Sequence, residues 1–219
     1  MINKVLTILL FITSGFYFVQ AQEISCSDSL KLREMLREVR DRDQGDRARI
    51  IKNLDQKTPE EIKDAAIKMK ISDKNNQVII ATLLDRCGWP QGLSSVENHT
   101  IFLVIDHADT AYMAKYFPLL KTQTELGVVT KNDSATMQDR ILLRSGKKQI
   151  YGTQTFKVGA EVIVWPIADV GNLDSLRTSM GLSPMEDYMS LLKKTYRSEV
   201  IWDKAMTIEQ AKQMTTKKK

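Results

Sequence analysis

The segment SSVENHTIFLVIDHADT, residues 94–110, reads either as a strand or as a helix, and the fold class follows from that choice. Its centre, Thr100 to Ile105, is apolar on every side and β-branched enough for a buried strand. Its start argues for a helix. Ser94 with Glu97 three residues later forms a capping box, in which each side chain satisfies a backbone N–H that the first turn leaves open. The expectation is therefore a central helix, apolar all round because it is buried all round. It ends near His107, and Asp109 is placed to cap the helix that follows.

The rest of the chain carries the same punctuation. Thr58-Pro59-Glu60-Glu61 supplies an N-cap, a proline at the first helical position and an acid at the third. Ser183-Pro184-Met185-Glu186 repeats it, and Thr207 with Gln210 forms a further box. Gly88, Gly127, Gly146 and Gly181 stand where helices close. Helices are expected near 28–54, 59–70, 73–87, 95–107, 110–126, 131–145, 172–180, 184–197 and 207–214, with a kink at Pro118. Strand signals fall at 148–156 and 159–165, where Gly159 and Pro166 bound Glu161-Val162-Ile163-Val164-Trp165. The predicted architecture is mainly α, an irregular multi-helix domain with one small β-hairpin near 148–165.

The chain has 219 residues and a net charge of +5. Its first 21 residues, MINKVLTILLFITSGFYFVQA, combine Lys4, an uncharged apolar run from Val5 to Val19, and small residues before a cleavage point after Ala21. That pattern is a secretory signal peptide, and the run is short for the ~20 residues of a membrane anchor. No cysteine stands at the cleavage point, which disfavours a lipid anchor. Residues 22–214 are expected to form a single helical domain, and 215–219 a basic disordered tail. With Lys4 and the three tail lysines set aside, the charge falls to about +1. No basic patch interleaved with aromatics is present, so nucleic acid is disfavoured as a partner. A secreted or periplasmic location permits a disulfide between Cys26 and Cys87. Cys87 as a small buried apolar side chain is the favoured alternative.

Helical spacing singles out a few polar residues. In the first helix the apolar stripe Leu32, Leu36, Val39 continues, by threes and fours, onto Asp43 and Arg47 before Ile50 and Leu54. An acid and an arginine four apart make either a solvated ion pair or a partly buried pair facing a polar cavity, which only pairing makes tolerable. Asn76 shares a face with Ile80, Leu83 and Cys87. Asp139 shares one with Ala135, Leu142 and Leu143, and Arg140 follows it. His107 closes the most buried helix.

These residues recur in an ordered set. Cys87-Gly88-Trp89-Pro90 leads into His107-Ala108-Asp109, then Pro118-Leu119-Leu120, Asp139-Arg140 and Gly146-Lys147-Lys148-Gln149-Ile150-Tyr151-Gly152-Thr153-Gln154. In this order and spacing the chain resembles an uncharacterised bacterial domain-of-unknown-function family, the one numbered 6624. Asp43-Gln44, Asn76, Pro166, Asp169, Asn172, Asp174 and Arg177 also match family positions. Asp106 departs from it, standing where glutamine often precedes the histidine. The resemblance covers most of the mature chain and implies a shared fold and site, but no reaction.

Three roles are open to these residues. In an enzyme, His107 is the acid/base, oriented by Asp43, Asp109 or Asp139, while Arg47 or Arg140 holds an anionic group; a hydrolase of cell-envelope material suits the compartment. No Gly-x-Ser-x-Gly and no cysteine beside a histidine supplies a nucleophile. His99 lies about 80° round the helix from His107, and no His-Glu-x-x-His occurs, so no metal is expected. No phosphate-cradling glycine loop or other cofactor signature occurs either. As a binding domain, the protein takes a small molecule, peptide or glycan on Asp43, Arg47, Asn76, Asp139, Arg140, Tyr151 and Gln154. Trp89, Tyr151 and Trp165 then give apolar contact. In the third role the same polar residues form a hydrogen-bond network that locks helix register, with no ligand. The binding role, with a polar site around His107 and Tyr151–Gln154, is the leading expectation.

Overall fold

The computed structural model describes residues 26–52 and 57–216. The expected signal peptide, Leu54 and the Lys217–Lys219 tail lie outside the described residues. In chain order the described elements are α1 (Ser29–Ile51), α2 (Pro59–Cys87), α3 (Ser95–Asp106), α4 (Thr110–Glu125), α5 (Lys131–Arg144), β1 (Thr155–Val158), β2 (Glu161–Val164), α6 (Leu173–Ser179), α7 (Met185–Tyr196), β3 (Val200–Ile201) and α8 (Ile208–Thr216). The fold is mainly α, as the capping signals predict.

The 100–105 segment is helical. Both halves of the Ser94–Glu97 capping box are formed, and α3 runs to Asp106 with His107 as its C-cap. Ile101, Val104 and Ile105 are buried in the core, beside Leu36 and Val39 of α1, Ile80 and Leu83 of α2, Met113 and Leu120 of α4 and Met137 of α5. α1 packs on α2 and α3, and α4 packs on α3 and α5. α4 runs through Pro118 without ending there.

Three expectations about element boundaries are corrected. The helices expected at 59–70 and 73–87 are one, α2, which opens with the predicted Thr58–Glu61 box and closes at Gly88. No proline or glycine stands between Lys70 and Asp73, and extending a helix costs less than nucleating another. The Asp73 side chain is spent on Arg47 rather than on a cap. α7 starts one residue later than expected, with Pro184 as N-cap and no side-chain cap of its own. Its first turn is satisfied from α6 instead, where Asp174 Oδ1 accepts the Met185 N–H at 2.8 Å.

The third correction concerns the sheet. β1 and β2 pair antiparallel in the register Thr155↔Val164, as a hairpin around Gly159. The first strand does not begin at 148, because Ile150, Tyr151, Thr153 and Gln154 give their N–H groups to the side chains of Asp139 and Gln149; Gln149 itself makes an isolated bridge to Ile167. A third strand, β3, adds in parallel to the other edge of β2, giving the order β1-β2-β3. Val164, Ile167, Leu173 and Met185 form a second core between this sheet and α6–α7. α8 covers Ile163 through Ala211.

Cys26 and Cys87 form a disulfide, with Cα atoms 5.6 Å apart. This reverses the expectation of a free, buried Cys87. The bond ties the chain just before α1 to the last residue of α2 across 61 positions, a proximity that only the α1–α2 packing creates.

Candidate functional site

α1 places Asp43 on its core-facing stripe, and the stripe stays buried there: Leu36 and Val39 are fully covered and Asp43 is 1% exposed. The buried alternative for the Asp43–Arg47 pair is therefore the one realised. Asp43 Oδ1 lies 2.9 Å from His107 Nδ1, at the C-cap of α3. Arg47 Nη1 donates to the same Oδ1 at 3.0 Å and to the Asp43 carbonyl at 2.9 Å. The Arg47 guanidinium also grips Asp73 of α2 with two parallel bonds of 3.0 and 3.1 Å. Gln44 Nε2 donates to Asp43 Oδ2 at 2.6 Å. Burial pushes the Asp43 carboxyl up, but the hydrogen bond and charge of His107, with Arg47, outweigh it and hold the group below its usual range.

With Nδ1–H donating to Asp43, the imidazole of His107 is fixed in one orientation and Nε2 is left for other work. Asp43, Asp73 and His107 offer three ligand atoms within 4.8 Å of one another, a set that could hold a divalent cation. Arg47 already lies against both carboxylates, so a metal would enter only by displacing it.

Asp139 organises the second half of the site from α5. Its Oδ1 accepts the N–H of Ile150 at 2.7 Å, and its Oδ2 accepts Thr153 N–H and Oγ1–H at 3.0 and 2.9 Å. Tyr151 N–H reaches both oxygens. The Tyr-Gly-Thr-Gln segment is thus wound around a buried carboxylate. Burial pushes that carboxyl above its usual range, against the pull of the Thr153, Tyr151 and Ile150 N–H groups. Gly152 makes the turn possible: its φ is +69°, and a Cβ there would lie 2.9 Å from Ile167 Cδ1. Gln149 closes the loop from below by accepting the Gln154 N–H and donating to the carbonyls of Gln154 and Trp165.

Arg140 joins the two halves. Its Nε donates to Gln154 Oε1 at 3.2 Å, and its Nη1 donates to the Asp106 carbonyl at 3.0 Å and pairs with Asp106 Oδ2 at 2.9 Å. Arg144 donates to the Ala108 carbonyl at 2.7 Å. Two cations of α5 therefore hold the C-terminal end of α3, where helix carbonyls lack internal partners. A continuous polar chain runs from Gln154 through Arg140 to the Asp106–His107 peptide and on to Asp43, Arg47 and Asp73.

Arg140, Thr153 and Gln154 also line an open cavity of about 420 Å³, whose other walls include Arg177, Tyr188 and Tyr196. Arg177 is 1% exposed. Its Nε donates to the Ser183 carbonyl at 2.6 Å and its Nη1 to the Tyr151 carbonyl at 2.6 Å, while the guanidinium stacks 4.7 Å from the Tyr188 ring. Among the described residues, two arginines and no carboxylate line this cavity. Asp106, the acid paired with Arg140, is pushed up by burial against the pull of Arg140.

The structure brings Asp43, Arg47, His107, Asp139, Arg140, Tyr151 and Gln154 into one connected set. Three other expected site residues do different work. Asp109 caps α4 by accepting the Tyr112 N–H and pairs with Lys74 on the surface. Trp89 is buried, with Nε1 donating to Asn98 Oδ1 at 2.8 Å. Asn76 bridges α2 to α1, donating to the Val39 carbonyl and accepting from Arg42 Nε. Asp73, Gln149 and Arg177 belong to the set and are absent from the sequence-based site. Asp73 was findable: stepping back three residues along the Asn76, Ile80, Leu83 stripe reaches it. Arg177 sits on a seven-residue helix, too short to show a stripe.

A family model described as "Family of unknown function (DUF6624)" matches residues 31–201, a span that holds every residue of the set. No curated protein and no solved structure matches the chain.

Proposed function

Since the chain belongs to the family of unknown function DUF6624, its role must be argued from its own site, and we propose that it is a secreted or periplasmic ligand-binding domain. Its ligand is a small molecule, peptide end or glycan that carries an anionic group. The observation that carries this is the cavity beside Gln154, which among the described residues two arginines line and no carboxylate does. Its volume of about 420 Å³ is in the range of small-ligand sites. The Tyr188 and Tyr196 rings give a sugar or side chain apolar area, and the Arg140 guanidinium faces the charged group. Export is supported by the apolar N-terminal run ending in Val19-Gln20-Ala21 and by the Cys26–Cys87 disulfide.

Here the Tyr151–Gln154 motif builds the wall of the site rather than its reacting groups. Its backbone is consumed by Asp139, Gln149, Arg177 and Tyr188. The test is the thermal midpoint with succinate, glucuronate and a tripeptide, each against a neutral analogue. Anions alone should raise it, through about 2.7 kcal/mol of added stability at a hundred times Kd, and Arg140→Gln should remove the response. No response to any anion, or an equal response to the neutral analogues, sinks the idea.

A second role rests on a different observation, the 2.9 Å contact between Asp43 and His107 Nδ1. That contact is what an envelope hydrolase would need to hold His107 Nε2 as its acid/base. Turnover of aryl ester, anilide or glycoside substrates that His107→Gln abolishes would favour hydrolysis. Absence of turnover leaves binding alone.

A further inference from the structure

The Arg140 cavity does not end at its own rim. Leu191, one of its walls, also lines a second open concavity of about 630 Å³ along α7. Among the described residues, Lys193, Lys194 and Arg197 line it with one acid, Asp187, which sits in the first turn of the helix. Lys193 is engaged, with Nζ 2.6 Å from Glu199 Oε1. Lys194 and Arg197 are exposed, and among the described residues neither pairs with an acid. Leu191 is 58% exposed, and Tyr196, the next wall residue along α7, is 45% exposed. Lys157 of β1 adds a further cation, its Nζ 5.3 Å from the centre of the Tyr196 ring.

Arg197 also carries backbone strain. It closes α7 at φ +50° and ψ +41°, the left-handed region. Among the described residues, no other non-glycine has a positive φ. Glycine is the usual occupant of such a helix end, because a Cβ is disfavoured there. An arginine kept against that cost, with no acid to meet it, points to a partner outside the chain.

Resting on the anion-binding role given to the Arg140 cavity, we propose that the ligand is an acidic oligosaccharide. One unit sets its carboxylate on Arg140, and a later unit sets its own on Lys194 and Arg197, with Leu191 and Tyr196 beneath the chain. A single acid fills the first concavity alone; a ligand with repeated charges uses both. The lining favours sugar over peptide. An extended peptide is held largely through main-chain hydrogen bonds. In this wall the N–H and C=O of Thr153 and Gln154 are already taken, by Asp139, Tyr188, Gln149 and Trp165. What remains are the Asn132 amide, the Thr136 and Thr155 hydroxyls and the tyrosine rings, which suit the hydroxyls and ring faces of a sugar.

Isothermal calorimetry with galacturonate and its linear trimer tests this on the whole protein. Linking the charged units makes the second contact intramolecular, so the trimer should bind at least about tenfold more tightly than the monomer. That advantage should shrink as salt rises. Arg197→Gly removes the charge and relieves the backbone. Its thermal midpoint should hold or rise, while the trimer falls to about the affinity of the monomer. Lys194→Gln, at an exposed side chain, should weaken the trimer in the same direction. Monomer binding that Arg140→Gln abolishes, with no gain for the trimer, overturns the oligosaccharide and leaves the single-anion site standing. Absence of binding by both sugars removes both. Trimer binding that needs Arg197 but not Arg140 overturns the span, because it confines the ligand to α7. An unchanged trimer affinity in Arg197→Gly and Lys194→Gln overturns the proposal too. So does equally tight binding of triglutamate or of phosphatidylglycerol vesicles, which assigns the cationic face to a peptide or to a membrane.

Discussion

His107 Nδ1 lies 2.9 Å from Oδ1 of Asp43, a carboxylate 1% exposed on the core face of α1. The contact joins the first and third helices through a polar pair where the flanking positions join them through Leu36, Val39 and Ile105. Asp43 titrates below its usual range because His107 and Arg47 outweigh the cost of burying it. For a carboxyl whose folded pKa is lowered, the stability it contributes is complete above the unfolded value of about 3.9 and is lost as pH falls through the lower folded value. Asp106 and Asp139, which burial pushes up, act with the opposite sign. The wild-type slope is therefore a sum, and the informative quantity is the difference from Asp43→Asn. In urea denaturation, the stability advantage of wild type over that variant should be full near pH 6 and shrink below about pH 4. An advantage that stays constant to pH 2.5 removes Asp43 as the source.

His107→Ala separates structure from function at the same contact. Asp43 keeps Arg47 and Gln44 as partners, so the loss should be about 1–3 kcal/mol. The thermal midpoint should fall by roughly 2–4 °C per kcal/mol in a domain of this size. A midpoint that holds or rises would mean that the ring is retained at no benefit to stability, which favours an acid/base or ligand-contacting role for it.

Asp139→Asn should be worse than its isosteric size suggests. The carboxylate only accepts, and it receives the N–H groups of Ile150, Tyr151 and Thr153 together with the Thr153 hydroxyl. An amide turns one of its oxygens into a donor facing donors, and each buried group left unpaired costs about 1–3 kcal/mol. Urea midpoints should drop at unchanged m-value. Amide exchange at Tyr151 and Thr153 should quicken more than exchange in α3. Uniform loss of protection would show that the loop and the helical core open together.

The sequence made much of this readable, for a local reason. Capping boxes are contacts three residues apart, so Ser94–Glu97 and Thr58–Glu61 announced α3 and α2 directly. Helical periodicity put Asp43 on the core-facing stripe but left open whether that turn was solvated or buried, which the packing of α3 decides. What stayed hidden depends on contacts distant in the chain. Residues 150–154 look like a strand until Asp139 claims the N–H groups of Ile150, Tyr151 and Thr153, and Gln149 that of Gln154. Val200–Ile201 becomes a strand only because the edge of β2 is open to it. Asp73 reads as the start of a separate helix until Arg47 is placed opposite, and Trp89 resembles a ligand contact until Asn98 takes its indole N–H.

Gly152→Ala tests two sources of strain in one residue. The φ of +69° disfavours any side chain, and the new Cβ would meet Ile167 Cδ1 at 2.9 Å and Met185 Sδ at 3.3 Å. The backbone part should cost about 1–2 kcal/mol, with the contact adding to it. Ile167→Val removes the closest atom but leaves φ untouched. The double variant should therefore recover part of the stability lost by Gly152→Ala, and the two changes should be non-additive. Full recovery would assign the whole cost to the clash, and strict additivity would assign it to the backbone.

The Cys26–Cys87 bond closes a loop across 61 positions that the unfolded chain would otherwise leave open. Loop-closure entropy for that length amounts to about 4 kcal/mol, so reduction should lower the thermal midpoint by roughly 10 °C. Cys26→Ser should reproduce the shift, and a reducing agent should then have no further effect on it. Cys87 lies at the C-terminal end of α2, against the main core, so Cys87→Ser adds the cost of a hydroxyl there and should be the less stable of the two variants. If Cys26→Ser is as stable as the oxidised protein, the cross-link restrains a segment that contributes nothing to the folded state.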